Sequence, residues 1–228
     1  MRLFLLTLPV LCFSQPGDLP IPPDHEANLR ARGFTERFLP AQDAVLTPSP
    51  AEARRGWLVY RRDRNFELLP NSRPAPGEAL DRLVLTATPG EIESEPFAIY
   101  ALRDTAGIRA EAAIESKTPW LATQGRVEDV LFHPVQYTAV ATRDLDESRA
   151  TAQKSYVRYP VFLRPTAAHA IPAGTSRPYW VTVAVPDGTP AGFYHGTIRL
   201  ADASGQRAEL PLWNVSRGQS PQPRNCLP

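Results

Sequence analysis

Asp146 and Glu147 stand side by side in the polar run 142–149. Paired carboxylates can perform acid–base work on a glycosidic bond. That chemistry needs the two groups on opposite sides of one sugar, or one carboxylate holding an acetamido nitrogen while an acid serves the leaving oxygen. Neighbours in so polar a run read as a solvated loop, so no catalytic residue is assigned. Glu91, Glu93 and Glu95 share one face of an extended chain, where crowded carboxylates could tune an acid or hold a hard cation. The favoured reading is a charged edge beside the turn at Pro89-Gly90, helped by Arg103 or Arg109. His25, His133, His169 and His195 show no paired spacing for a metal, and none is expected to bind one. Sugar faces stack on flat aromatics. Trp57 and Trp180 lie inside strand patterns and read as core residues. Trp120, after Lys117-Thr118-Pro119, reads as loop-borne and is the candidate ligand-binding platform.

No nucleophile elbow, phosphate loop or dinucleotide fingerprint occurs in the sequence, and no cofactor is expected. The 25 basic and 24 acidic residues nearly cancel, which argues against an electrostatic grip on nucleic acid or an anionic membrane. Met1-Arg2 followed by an apolar run to Phe13 has the form of a secretory signal cleaved after Ser14. It is too short to span a bilayer, which takes about 20 apolar residues. A lipoprotein signal at Cys12 is the alternative, although Leu11 is bulky for that motif. Export to the periplasm or extracellular space is therefore expected, with no membrane span. Cleavage leaves Cys226 as the single cysteine, so the fold must stand on its apolar core.

The elements that would position these residues follow a period of two. The 25 prolines fall between apolar runs, where they punctuate strands and forbid long helices. Residues 15–48 read as an extended, proline-rich lead-in with a short helical turn near 26–32. Ser49-Pro50-Ala51-Glu52 is a capping box with proline at the first helical position, and Gly56 ends that short helix. Strands are expected at 57–60, 83–88, 94–102, 108–114, 127–132, 135–142 and 157–163. Residues 179–185, 192–200 and 207–212 read as a three-strand meander. The fold class is all-β: an antiparallel sandwich of Greek-key and meander strands over residues 49–214, with one short helix before the first strand and an irregular tail at 215–228.

Arg55-Gly56-Trp57-Leu58-Val59-Tyr60, Ala87-Thr88-Pro89-Gly90-Glu91-Ile92-Glu93 and Pro96-Phe97-Ala98-Ile99-Tyr100-Ala101-Leu102-Arg103-Asp104 resemble blocks of the N-terminal domain of glycoside hydrolase family 123 and related bacterial proteins. So do Ile171-Pro172-Ala173-Gly174-Thr175, Tyr179-Trp180-Val181-Thr182-Val183, and the stretch from Val185-Pro186-Asp187-Gly188 through Ala191-Gly192-Phe193-Tyr194-His195-Gly196. The resemblance spans about 51–212. It implies a non-catalytic sandwich preceding a (β/α)8 barrel that removes terminal N-acetylgalactosamine, with an Asp-Glu pair in the barrel assisting the substrate's acetamido group. Asp146 and Glu147 lie in the wrong part of the chain to be that pair. The sequence carries no barrel, and its polar ending is what a truncated or split gene would produce. Two functions are expected: an accessory domain packing on a glycosidase barrel, or an autonomous extracellular module binding glycans or surfaces. An exposed apolar patch would mark the first, and coplanar exposed aromatics the second.

Overall fold

The computed structural model describes residues 25–37, 46–63, 68–115, 125–136 and 154–217. The signal segment, Trp120, Asp146, Glu147 and the tail from 218 onward lie outside the described residues. In chain order the elements are α1 (His25–Ala31), β1 (Thr35–Glu36), α2 (Pro50–Arg55), β2 (Trp57–Tyr60), β3 (Leu83–Ala87), β4 (Ile92–Ala101) and β5 (Ile108–Glu115). They continue with β6 (Gly125–Gln136), β7 (Ser155–Pro165), β8 (Ser176–Ala184), β9 (Gly192–Asp202) and β10 (Arg207–Ser216). Ser49 caps α2 as its sequence demands. The serine hydroxyl accepts from the Glu52 amide at 3.3 Å, and the Glu52 carboxylate accepts from the Ser49 amide at 2.8 Å. Gly56 closes the helix in the left-handed region at φ 89°.

The strands form two sheets, in the orders β1-β7-β6-β8-β4-β2 and β3-β10-β9-β5. The all-β sandwich expected from the sequence is the architecture found. Every pairing is antiparallel except β1 with β7 and β3 with β10, which makes both sheets mixed. The expected meander divides: β8 pairs with β4 and β6, whereas β9 and β10 pair in the other sheet. The connection at 185–191 therefore crosses the sandwich, carrying Pro186 and Pro190 rather than a tight two-residue hairpin turn. The segments 127–132 and 135–142 are not separate strands either. β6 runs from 125 to 136 with a bulge between Leu131 and Phe132. Pro134 is tolerated because β6 pairs with β8 only as far as Asp129, so the missing N–H costs no ladder bond on that side.

The core lies between the sheets. β3 alternates buried Leu83, Leu85 and Ala87 with exposed Val84 and Thr86. Phe97, Ile99 and Ala101 of β4 and Tyr179, Val181 and Val183 of β8 meet Ile198 and Leu200 of β9 and Leu210 and Leu212 of β10. Phe97 stacks on Tyr179 with centroids 5.3 Å apart. A second cluster covers the other face of the larger sheet, where Leu58, Tyr60, Ala98 and Tyr100 pack with Leu68. There the Tyr60 hydroxyl pairs with that of Ser176 at 2.7 Å, and Ser176 donates to the Ser72 carbonyl at 2.8 Å. Burial drives the Tyr60 phenol up to about 12. β4 is thus covered on both faces, which is why 96–101 reads as an unbroken apolar run.

α1 and β1 join the sandwich through β7. Leu29 and Phe34 pack on Tyr156. The Glu26 carboxylate accepts from the Tyr156 hydroxyl at 3.0 Å and from Arg30 and Arg158, each at 2.6 Å. Burial alone would raise the Glu26 carboxyl, but the Tyr156 bond and the charges of Arg158 and Arg30 outweigh it and hold it below its usual value. A depressed carboxyl stabilises the fold above its unfolded value, about 4.3 for glutamate. That stability is lost as pH falls through the lower folded value. The stability difference between the native chain and Glu26→Gln should therefore be full at neutral pH and shrink below about pH 4 in urea titrations. A pH-independent difference would show that this ion cluster does not fasten α1.

Candidate functional site

The outer face of the four-stranded sheet is the first candidate, because parity exposes apolar residues there. Ile198 and Leu200 point inward, which places Phe193 and His195 on the outside of β9, and Leu210 and Leu212 likewise turn Trp213 and Val215 outward on β10. Strand register brings them together: Trp213 sits between Val84 and His195, and Val215 sits between Thr86 and Phe193. Phe193 is 72% exposed and Val84 39%. The Trp213 ring meets His195 edge-on at 5.7 Å and lies under the Arg82 guanidinium at 4.9 Å. Charges border the patch, with Glu111 opposite Arg199 in register and Arg109 paired to Glu111 at 3.0 Å. An apolar centre with a charged rim is the anatomy of an interaction surface. Sequence reasoning passed over Phe193 and Trp213, although the alternation of β9 and β10 carries the signal.

The opposite face of the sandwich holds a groove of about 440 Å³. Pro96, Pro178 and Trp180 line it together with Leu68, Val130 and Leu163. Trp180 is therefore not a core residue as the strand pattern suggested. Tyr179 and Val181 take the inward positions of β8, leaving Trp180 half-buried on the outer surface. Trp57, by contrast, is fully buried.

Glu91 and Glu95 turn to different partners. Glu91 turns back to accept from the Thr88 amide at 2.7 Å, and hydrogen bonding from Thr88 holds its carboxyl below the usual value. Glu95 is buried and lies 3.7 Å from Arg61. Neither expected arginine serves them: Arg103 donates to the Arg54 and Arg55 carbonyls, and Arg109 pairs with Glu111. His169 meets Arg164 at 3.1 Å, and its backbone pairs with Ile108. Among the described residues, no group of three or more His, Cys, Asp or Glu could hold a metal ion. Nor is any described helix long and apolar enough to cross a membrane.

Fold and surface together define an all-β sandwich domain with exposed Phe193 and Val84 on the outer face of its smaller sheet. The chain resembles the N-terminal domain of glycoside hydrolase family 123: the profile of the glycoside hydrolase 123 N-terminal domain matches residues 127–202, from β6 through β9. A solved family 123 glycoside hydrolase from Clostridium perfringens shares the fold with a TM-score of 0.53 at 9% identity, over 74% of this chain. This chain spans 28% of that one. The secreted serine protease VesC from Vibrio cholerae follows at a TM-score of 0.34 and 6% identity, covering 60% of this chain and 22% of that one. A human PapD-like domain gives a TM-score of 0.33 at 7% identity, over 82% of this chain and 100% of its own. No curated protein sequence matches.

Proposed function

We propose that this chain is the non-catalytic accessory sandwich of an N-acetyl-β-galactosaminidase-like glycoside hydrolase, exported through the signal at 1–14. It works by packing against a catalytic barrel, and the outer face of the four-stranded sheet is its docking surface. The observation that carries this reading is the profile match over β6 to β9. The exposed Phe193 and Val84, with the half-buried Trp213 between them, supply the apolar face such a domain needs. Glu91 and Glu95 turn to separate partners rather than to one reacting centre. The purified chain should therefore leave p-nitrophenyl N-acetyl-β-galactosaminide unhydrolysed. Turnover at any rate above the uncatalysed reaction would overturn the non-catalytic reading.

A further inference from the structure

At one end of the sandwich, the α2–β2 junction, the β4–β5 loop and the β9–β10 turn enclose a cavity of about 270 Å³. Its polar walls are Arg55, Arg103, Asp104, Asp202 and Ser204, with Trp57 behind Arg55. Each charged side chain is pinned from behind by backbone. Arg103 donates from Nη2 to the Arg54 and Arg55 carbonyls at 2.7 and 3.2 Å. Its Nε lies where a Cβ on Gly56 would come within 2.3 Å, so the glycine makes room for it. Arg55 donates to the Trp57 carbonyl at 3.1 Å and lies 4.1 Å over the Trp57 ring. Asp104 Oδ1 accepts from the Ala173 amide at 2.8 Å. Asp202 Oδ1 accepts from the Ser204 amide at 2.9 Å, the Ser204 hydroxyl at 2.6 Å and the Gln206 amide at 2.9 Å.

These bonds occupy one oxygen of each carboxylate and one nitrogen of Arg103, leaving the other Oδ2 atoms and Nη1 uncommitted by them. Arg55 lies 4.0 Å from Glu52, outside the lining, and among the described residues no ion pair joins Arg55 or Arg103 to Asp104 or Asp202. Two cations and two anions thus line one cavity, open to solvent at Arg103, Asp104 and Ser204, without neutralising each other. We infer that this cavity binds a neutral polyhydroxylated ligand of one ring, a pyranose. A hydroxyl both donates and accepts, so each can bridge a carboxylate oxygen and a guanidinium N–H, which a bare anion or cation cannot do. The balanced charge disfavours either ion. The volume lies just below the roughly 300–1,000 Å³ of drug-sized pockets, the scale of a single sugar ring. Loops at the end of a rigid sandwich are where binding residues gather.

The site is separate from the docking face, so its failure would leave the accessory-domain reading standing. The test is an NMR titration of the full chain with D-glucose, D-galactose and N-acetyl-D-glucosamine, alongside glycerol and sodium sulfate. At least one pyranose should shift the Ala106 and Ser204 amides and the Trp57 indole N–H saturably, with a Kd on the order of 1 mM. Asp202→Asn keeps the oxygen that holds the turn and replaces the other with NH2, and Asp104→Asn does the same beside Ala173. Each should weaken binding about tenfold while amides in β4 stay in place. The inference is overturned by no saturable shift at these positions, by shifts with sulfate alone, or by sugar binding indifferent to both variants.

Discussion

Replacing Phe97 with alanine should lower the unfolding free energy by about 3–5 kcal/mol in urea titrations, a large part of a typical domain's total of roughly 5–15 kcal/mol. Phe97 is fully buried in the centre of β4, stacked on Tyr179 and opposite the inward residues of the smaller sheet. Its neighbour Ala98 packs into the second cluster on the far face of the same strand. Both faces of β4 are therefore filled, and little can move in to close the cavity. Phe193→Ala is the matched control: the same side chain, 72% exposed, should change stability by no more than about 0.5 kcal/mol. A loss below 1 kcal/mol at Phe97 would mean that β4 is not the centre of the core.

Glu78→Ala carries the second large effect. Arg62 is 6% exposed, and its guanidinium donates to both Glu78 oxygens, at 2.8 and 3.0 Å, and to the Arg73 carbonyl at 2.6 Å. The Glu78 bond is the main reason the Arg62 guanidinium is held above its usual value. Glu78 also accepts from the Ala75 amide at 2.7 Å, so one carboxylate ties the segment after β2 to the buried arginine. Removing it takes the paired carboxylate from a buried cation, which costs about 3–5 kcal/mol; the 19% exposure of Glu78 puts the expectation near 3. Arg62→Met with Glu78→Leu should recover most of the loss, because a matched apolar pair needs no desolvation of charge. Equal losses in the single and double variants would refute that account.

Local features were legible wherever one chemical rule decides them. The capping box at Ser49 and Glu52 needs only spacing, and the alternation of Leu83 to Ala87 needs only a strand with one buried face. Which sheet a strand joins is a different matter. Period-two alternation tells inward from outward but is blind to the partner, so β8 and β9 read as a hairpin although 185–191 carries the chain across the sandwich. The proline at 134 looked like a break because its tolerance depends on β8 ending its pairing at Asp129, a fact of tertiary register. Aromatic content misled at Trp180, where parity from Tyr179 and Val181 was the better guide. The end cavity was the least legible part, since its arginines, aspartates and serine come from three segments that only the closed sandwich brings together.

The most direct test of the central claim is to mix the purified chain with a family 123 catalytic barrel supplied in trans and follow the complex by sedimentation. The account predicts a one-to-one complex that Phe193→Asp weakens by about 30-fold or more, as expected for an anchor worth at least 2 kcal/mol, without loss of the chain's own stability. Absence of any complex, or a complex indifferent to Phe193→Asp, would contradict docking through the four-stranded sheet.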